Sequence, residues 1–109
     1  MAVRRTPSVA QPELTVISWR DIPAQVVARY GVETVRAELP ARFLAAIDRA
    51  AMRAGLTGSD AYLEQWQRQT RACGTDLRAE VDAEVAALEA RHPMSDLNAL
   101  VDASGWDQR

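Results

Sequence analysis

The sequence predicts an α+β domain: a small three-stranded antiparallel sheet with about three helices packed on one face. Three observations predict it. Residues 14–19 and 34–39 alternate apolar and polar side chains with β-branched and aromatic types among them. Residues 41–54 and 75–91 place their apolar side chains on 3.6-residue stripes. The connections between the strand segments are short, which suits an antiparallel meander and excludes the long crossovers of a parallel sheet.

The first element after an N-terminal arm, residues 1–13, is the strand 14–19, where Thr15, Ile17 and Trp19 alternate with Leu14, Val16 and Ser18. Asp21-Ile22-Pro23 reads as a turn or an edge irregularity, because proline cannot donate to a ladder. Residues 25–30 form a second strand, and Tyr30-Gly31 a hairpin turn. The third strand, 34–39, sets Val35, Ala37 and Leu39 against Thr34, Arg36 and Glu38. Pro40 stands where a helix starts. The helix 41–54 carries Phe43, Leu44, Ile47, Ala51 and Ala54 on one stripe, with Arg42, Arg49 and Arg53 off it, and Gly55 ends it. Ser59 caps a second helix, helped by the charge of Asp60, with Tyr62, Leu63 and Trp66 on its buried side, fading near Cys73-Gly74. Thr75 caps a third, on which Leu77, Val81, Val85, Leu88 and His92 recur at spacings of four, four, three and four. Pro93 stops it. The tail, 94–109, holds a short amphipathic turn (Leu97, Leu100, Val101) and Trp106, which anchors either on the domain or on a partner. The domain proper is therefore expected over 14–92.

Composition bounds the function. A chain of 109 residues, 48% hydrophobic and 26% charged, has room for one core and is not a disordered composition. Its net charge of −2 gives no general drive towards nucleic acid or an acidic membrane. All 13 basic residues are arginine, a surface suited to bidentate contacts with carboxylate or phosphate. One cysteine excludes an internal disulfide, no apolar run approaches the ~20 residues of a membrane span, and the arginines at the N-terminus are followed by no apolar stretch. A cytoplasmic location is the expectation. The third helix nets −3, from Asp76, Glu80, Asp82, Glu84 and Glu89 against Arg78 and Arg91. Residues 14–73 net +2, eight arginines against six acids.

No catalytic constellation emerges. Cys73 and His92 are too few for a zinc site, and their plainer readings are an apolar filler and a favourable residue at a helix C-terminus. A nucleophile would need His92 as its base, and no serine sits in a strand-to-helix elbow. Glu80, Glu84 and Asp76 at helical spacing read as a solvated face. Gly55 and Gly58 flank a helix–helix turn, which is no phosphate loop. The segment Trp19-Arg20-Asp21-Ile22-Pro23 is the candidate recognition rim, against a plainer reading in which Trp19 is core and Asp21 caps the turn while pairing with Arg20 or another arginine. Tyr62 and Trp66 are likewise core or an interface.

Two families resemble parts of this text. Residues 34–39 as ribbon, Pro40 opening a helix, Gly55-Leu56 closing it and residues 57–59 opening another resemble the ribbon-helix-helix DNA-binding fold. In such proteins Thr34, Arg36 and Glu38 would enter the major groove from a dimeric ribbon. Two strand candidates ahead of the ribbon, Glu38, and the net negative charge all count against it. The stronger resemblance is to the small bacterial family called "conserved virulence factor". It is carried by Ile17-Ser18-Trp19-Arg20-Asp21-Ile22-Pro23-Ala24-Gln25-Val26, by the segments 35–43, 47–48 and 50–56, by Ser59-Asp60-Ala61-Tyr62-Leu63-Glu64-Gln65-Trp66, and by the helix that follows. It covers about residues 14–92. The resemblance implies a small stand-alone protein, of a kind also found fused to other domains such as an iron–sulfur scaffold-type segment. Stand-alone members accompany genes for corrinoid- and tetrahydrofolate-dependent methyl transfer, including methylenetetrahydrofolate reductase. It carries over no catalytic residue.

The function expected is thus a non-catalytic accessory subunit that docks on a larger enzyme of one-carbon metabolism, with Trp19, Arg20, Asp21, Arg42, Arg49 and Arg53 as its contact surface. No cofactor is expected in the isolated chain; a partner of that kind carries folate, flavin or corrinoid. A homo-oligomer stays open, and neither nucleic acid nor membrane is an expected partner. The alternatives are a dimeric ribbon-helix-helix regulator and a small folate-type enzyme, which would need a deep pocket near Trp19 and Tyr62.

Overall fold

The computed structural model describes residues 9–108, and of Val9 the backbone alone. Most of the N-terminal arm, residues 1–8, lies outside them. The elements run β1 (Val9–Trp19), β2 (Ile22–Gly31), β3 (Glu33–Glu38), α1 (Ala41–Ala54), α2 (Asp60–Glu64), β4 (Trp66–Ala72), α3 (Leu77–Arg91) and α4 (Met94–Asp102). The sheet is antiparallel and has four strands in the order β3-β2-β1-β4. The expected meander is therefore three-quarters of it, and four helices stand in place of about three.

The fourth strand is the main correction. The helix expected from Ser59 to Cys73 stops after one turn. Ser59 caps it as expected, its Oγ accepting from the Tyr62 N–H at 3.2 Å, but Leu63 is exposed and the chain turns into β4. Beyond Trp66 there is no apolar side chain until Ala72, so a longer helix would have no stripe to bury. Pairing with β1 satisfies the backbone instead, with Thr15 Oγ1 and Thr70 Oγ1 joined across the pair at 2.8 Å. Three smaller differences follow. β1 begins at Val9, five residues before the alternation becomes apolar. Asp76, and not Thr75, caps α3, accepting from the Ala79 N–H. The tail turn is a full helix, α4, whose Leu97, Leu100 and Val101 are buried.

The register decides which residues share a face, because side chains directly opposite one another point the same way. Leu14, Ala28 and Val35 are opposite, as are Val16, Val26 and Ala37, and all six belong to or pack on the single core cluster. Against them lie Phe43, Ala46, Ile47 and Ala50 of α1, Leu77, Val81 and Leu88 of α3, and the apolar side of α4. α3 crosses β2 and β3, while α1 packs on α4. Pro23 sits beside the irregularity between Ile17 and Ser18 in the β1–β2 pairing, where a missing donor is tolerated. Gly55, at φ 73°, ends α1 through bonds to the Ala51 and Met52 carbonyls.

The ribbon-helix-helix reading loses its ribbon here. Thr34, Arg36 and Glu38 lie in a strand hydrogen-bonded to β2 of the same chain, and α1 is followed by a single turn and a strand. No helix of the described residues is long and apolar enough to cross a membrane.

Candidate functional site

The expected contact residues fall into two groups, and both hold the fold together. Trp19 is fully buried; its Nε1–H donates to the Tyr62 carbonyl at 2.9 Å and its ring stacks on Tyr62 at 5.6 Å. Arg20 follows in the two-residue turn between β1 and β2, with φ 52°, a conformation that costs free energy unless its surroundings fix it. They do. Its N–H donates to the Gln65 carbonyl, its Nε to Gln65 Oε1 at 2.9 Å and its guanidinium to the Ser104 carbonyl at 2.8 Å. The guanidinium carbon also lies 5.0 Å from the ring centre of Trp19 and 4.9 Å from that of Trp106. Among the described residues Asp21 forms no ion pair with an arginine: its N–H donates to the Gly105 carbonyl, and its Oδ2 accepts from the Asp107 N–H at 2.7 Å. Trp19 is core, as the plainer reading of the rim has it, but the arginine pair that reading gives Asp21 is not formed among the described residues, and Trp106 is anchored on the domain.

The α1 arginines do similar work at the other end. Arg42 donates to the Glu89 and His92 carbonyls, both at 3.3 Å, closing the C-terminus of α3. Arg49 donates to Asn98 Oδ1, and Arg53 to the Asp102 carbonyl at 3.0 Å, fastening α4 along α1.

What these residues leave for a partner is the other side of the sheet. Glu13, Thr15 and Ile17 of β1 stand opposite Arg29, Val27 and Gln25 of β2; these oppose Thr34, Arg36 and Glu38 of β3, and Arg68 and Thr70 of β4 complete the rows. The β1 and β4 rows of this face end at Trp19 and Trp66, where Tyr62 of α2 packs on both rings. Val27 is 3% exposed yet is not among the residues of the core cluster. Arg29, Arg36 and Arg68 are exposed and make no ion pair or hydrogen bond through their side chains among the described residues. At one end the face runs into a half-apolar groove of about 170 Å³ lined by Ala24, Gln25, Glu38, Leu39, Leu44 and Trp66, in which Leu44 is 54% exposed. Charge alternation in β3 hinted at this face, but the polar run of β4 gave no sign of it.

A second concavity, of about 160 Å³, lies between the β1–β4 side of the sheet and the last turns of α3. His92 forms part of its wall, buried, with Nδ1 2.6 Å from Asp96 Oδ2 and its ring edge-on to Phe43. The i,i+4 relation of His92 to Asp96 across Pro93 is visible in the sequence only once α4 is known to follow at once. Glu84 also lines the cleft and is held by Arg71 at 3.0 Å. Elsewhere, burial pushes the Tyr62 hydroxyl above its ordinary range, with Asp48 adding to it. Burial also raises the Cys73 thiol, with Glu80 and Glu13 adding and Arg71 opposing. Among the described residues no group of three or more histidine, cysteine and acidic side chains is placed to hold a metal ion.

A family model described as Virulence factor matches residues 17–101, from the end of β1 to the last turn of α4. The chain belongs to the virulence factor family. The matched span includes three of the four strands and all of the first three helices, so the β1–β2 turn, the cleft and most of the open sheet face lie within this virulence factor domain. Neither a curated protein nor a solved structure matches the chain.

Proposed function

We propose that this virulence factor domain is a non-catalytic accessory subunit that docks, through the open face of its sheet, onto a larger enzyme of one-carbon metabolism, either a corrinoid- and tetrahydrofolate-dependent methyltransferase or a methylenetetrahydrofolate reductase. The observation that carries the docking is the run of exposed side chains on this face beyond Trp19 and Trp66. It sets three arginines that make no ion pair among the described residues around Val27 and Ile17 and continues into the groove beside Leu44 and Trp66. Arginine and tryptophan around a concave apolar patch are the usual ingredients of a binding hot spot. The complementary partner surface is acidic, with an apolar side chain that enters the groove. The class of partner rests on the resemblance described above, whose stand-alone members accompany such genes.

The test is direct binding. The purified chain is mixed with the methylenetetrahydrofolate reductase and the corrinoid methyltransferase of its own genome, and complex formation is followed by size exclusion and calorimetry. Saturable one-to-one binding to either, lost in an Arg36→Glu/Arg68→Glu variant that still folds, supports the reading. Absence of binding to both, together with a turnover measured for the isolated chain, overturns it.

A further inference from the structure

The cleft between β4 and α3 has a chemistry of its own. Its acids are already engaged: Glu84 by Arg71, and Asp21 by the Asp107 N–H. Its donors are not. Ser18 of β1, Gln67 and Gln69 of β4 and Arg91 of α3 line it, and their side chains have no hydrogen-bond partner among the described residues. A helix C-terminus normally repels negative charge. Here the Arg42 guanidinium sits on the Glu89 and His92 carbonyls and offsets that end of the dipole. The floor is apolar, from Val16, Pro23 and Leu88, so a bound charge would face little competing water on that side.

We infer that this cleft is a binding site for a small anion, a carboxylate- or phosphate-bearing compound held by Arg91, Gln67, Gln69 and Ser18. Its volume of about 160 Å³ sets the size class. A cavity of about 150 Å³ admits a benzene-sized molecule, so the ligand is one of a few heavy atoms or the anionic end of a longer one. The site lies on the helix-bearing side of the sheet, away from the open face, and stands or falls independently of the docking proposed above.

The experiment is an amide NMR titration of the full chain with inorganic phosphate and, separately, with succinate, at ionic strength held constant with sodium chloride. The expected result is saturating shifts centred on Ser18, Gln67, Gln69 and Arg91 with at least one of the two probes. Arg91→Ala and Gln69→Ala should each weaken binding at least tenfold, while Arg36→Ala on the opposite face leaves it unchanged. Saturation by phosphate alone, or by succinate alone, names the head group. Shifts that stay linear with both probes overturn the site, as does binding that Arg91→Ala leaves intact in a variant whose spectrum shows the native fold.

Discussion

Arg20 and Trp106 meet across 86 residues of sequence, with the guanidinium carbon 4.9 Å from the indole ring centre, and the meeting fixes the chain's last segment against the β1–β2 turn. Arg20→Ala removes that contact, the matching one on Trp19 and the side-chain bonds to Gln65 and Ser104. The expected loss is about 2–4 kcal/mol, since partly buried bonds from a charged donor are among the stronger ones. Trp106→Ala, at a ring that is 41% exposed, should cost about 1 kcal/mol. Urea denaturation with an unchanged m-value checks both.

Gly105 makes a sharper case. Its φ is 95°, and a Cβ there would stand 3.0 Å from Trp19 Cζ3. Gly105→Ala is expected to destabilise by about 1–3 kcal/mol through backbone strain and this close approach together. Gly31→Ala has a φ of 62° but no neighbour within 4 Å, so it should cost only the strain, about 1 kcal/mol. Equal losses in thermal or chemical melts would show that the contact with Trp19 adds nothing.

Cys73 should react slowly. Burial and the nearby Glu80 and Glu13 carboxylates raise its thiol, so less thiolate is present at neutral pH than for a free cysteine. Its iodoacetamide alkylation rate should climb about tenfold per pH unit through neutral pH and level off only above the ordinary thiol range of about 8.5. Glu80→Gln should move that profile down. The linkage has the same sign for Tyr62. Both groups have folded values above their unfolded ones, so their stability contribution is complete below about pH 8.5 and is lost as pH rises through the folded values. The melting temperature should therefore decline on the alkaline side.

The open face predicts a separation of stability from binding. Arg36→Glu and Arg68→Glu alter exposed side chains that have no partner among the described residues, so the folded state should change by no more than about 0.5 kcal/mol each. Affinity for an acidic partner should fall at least tenfold, chiefly through slower association at low salt. Stopped-flow association measured at two salt concentrations distinguishes this from general damage to the fold.

How much of this was legible in the text depends on whether burial wrote a period into it. The stripes of α1 and α3 were readable because one side of each helix faces the core, down to His92 at the end of the second stripe. β1 and β3 were legible for the same reason, with period two, whereas β2, which buries Val26, Val27 and Ala28 in succession, was placed with the hairpin glycine at its end. β4 was not. It is an edge strand with its last six residues exposed, so neither of its sides is selected for apolar residues and Gln67-Arg68-Gln69-Thr70-Arg71 carries no period at all. Trp19, Arg20 and Asp21 were found as a group, but their roles run to Gln65, Ser104 and Asp107, partners no local pattern could name. The cleft was missed for a related reason: it needs β4 as a wall.

The order of strands has a consequence for how the molecule is made. β1, β2 and β3 are joined by turns of one or two residues and can zip together early, whereas the fourth strand meets β1 only after a separation such as the 55 residues between Thr15 and Thr70. While the ribosome is still producing the helices in between, one border of the nascent meander stays open to any passing strand. Chaperone dependence and misassembly should concentrate in that interval, and a chain truncated before residue 66 should be the form most prone to aggregate.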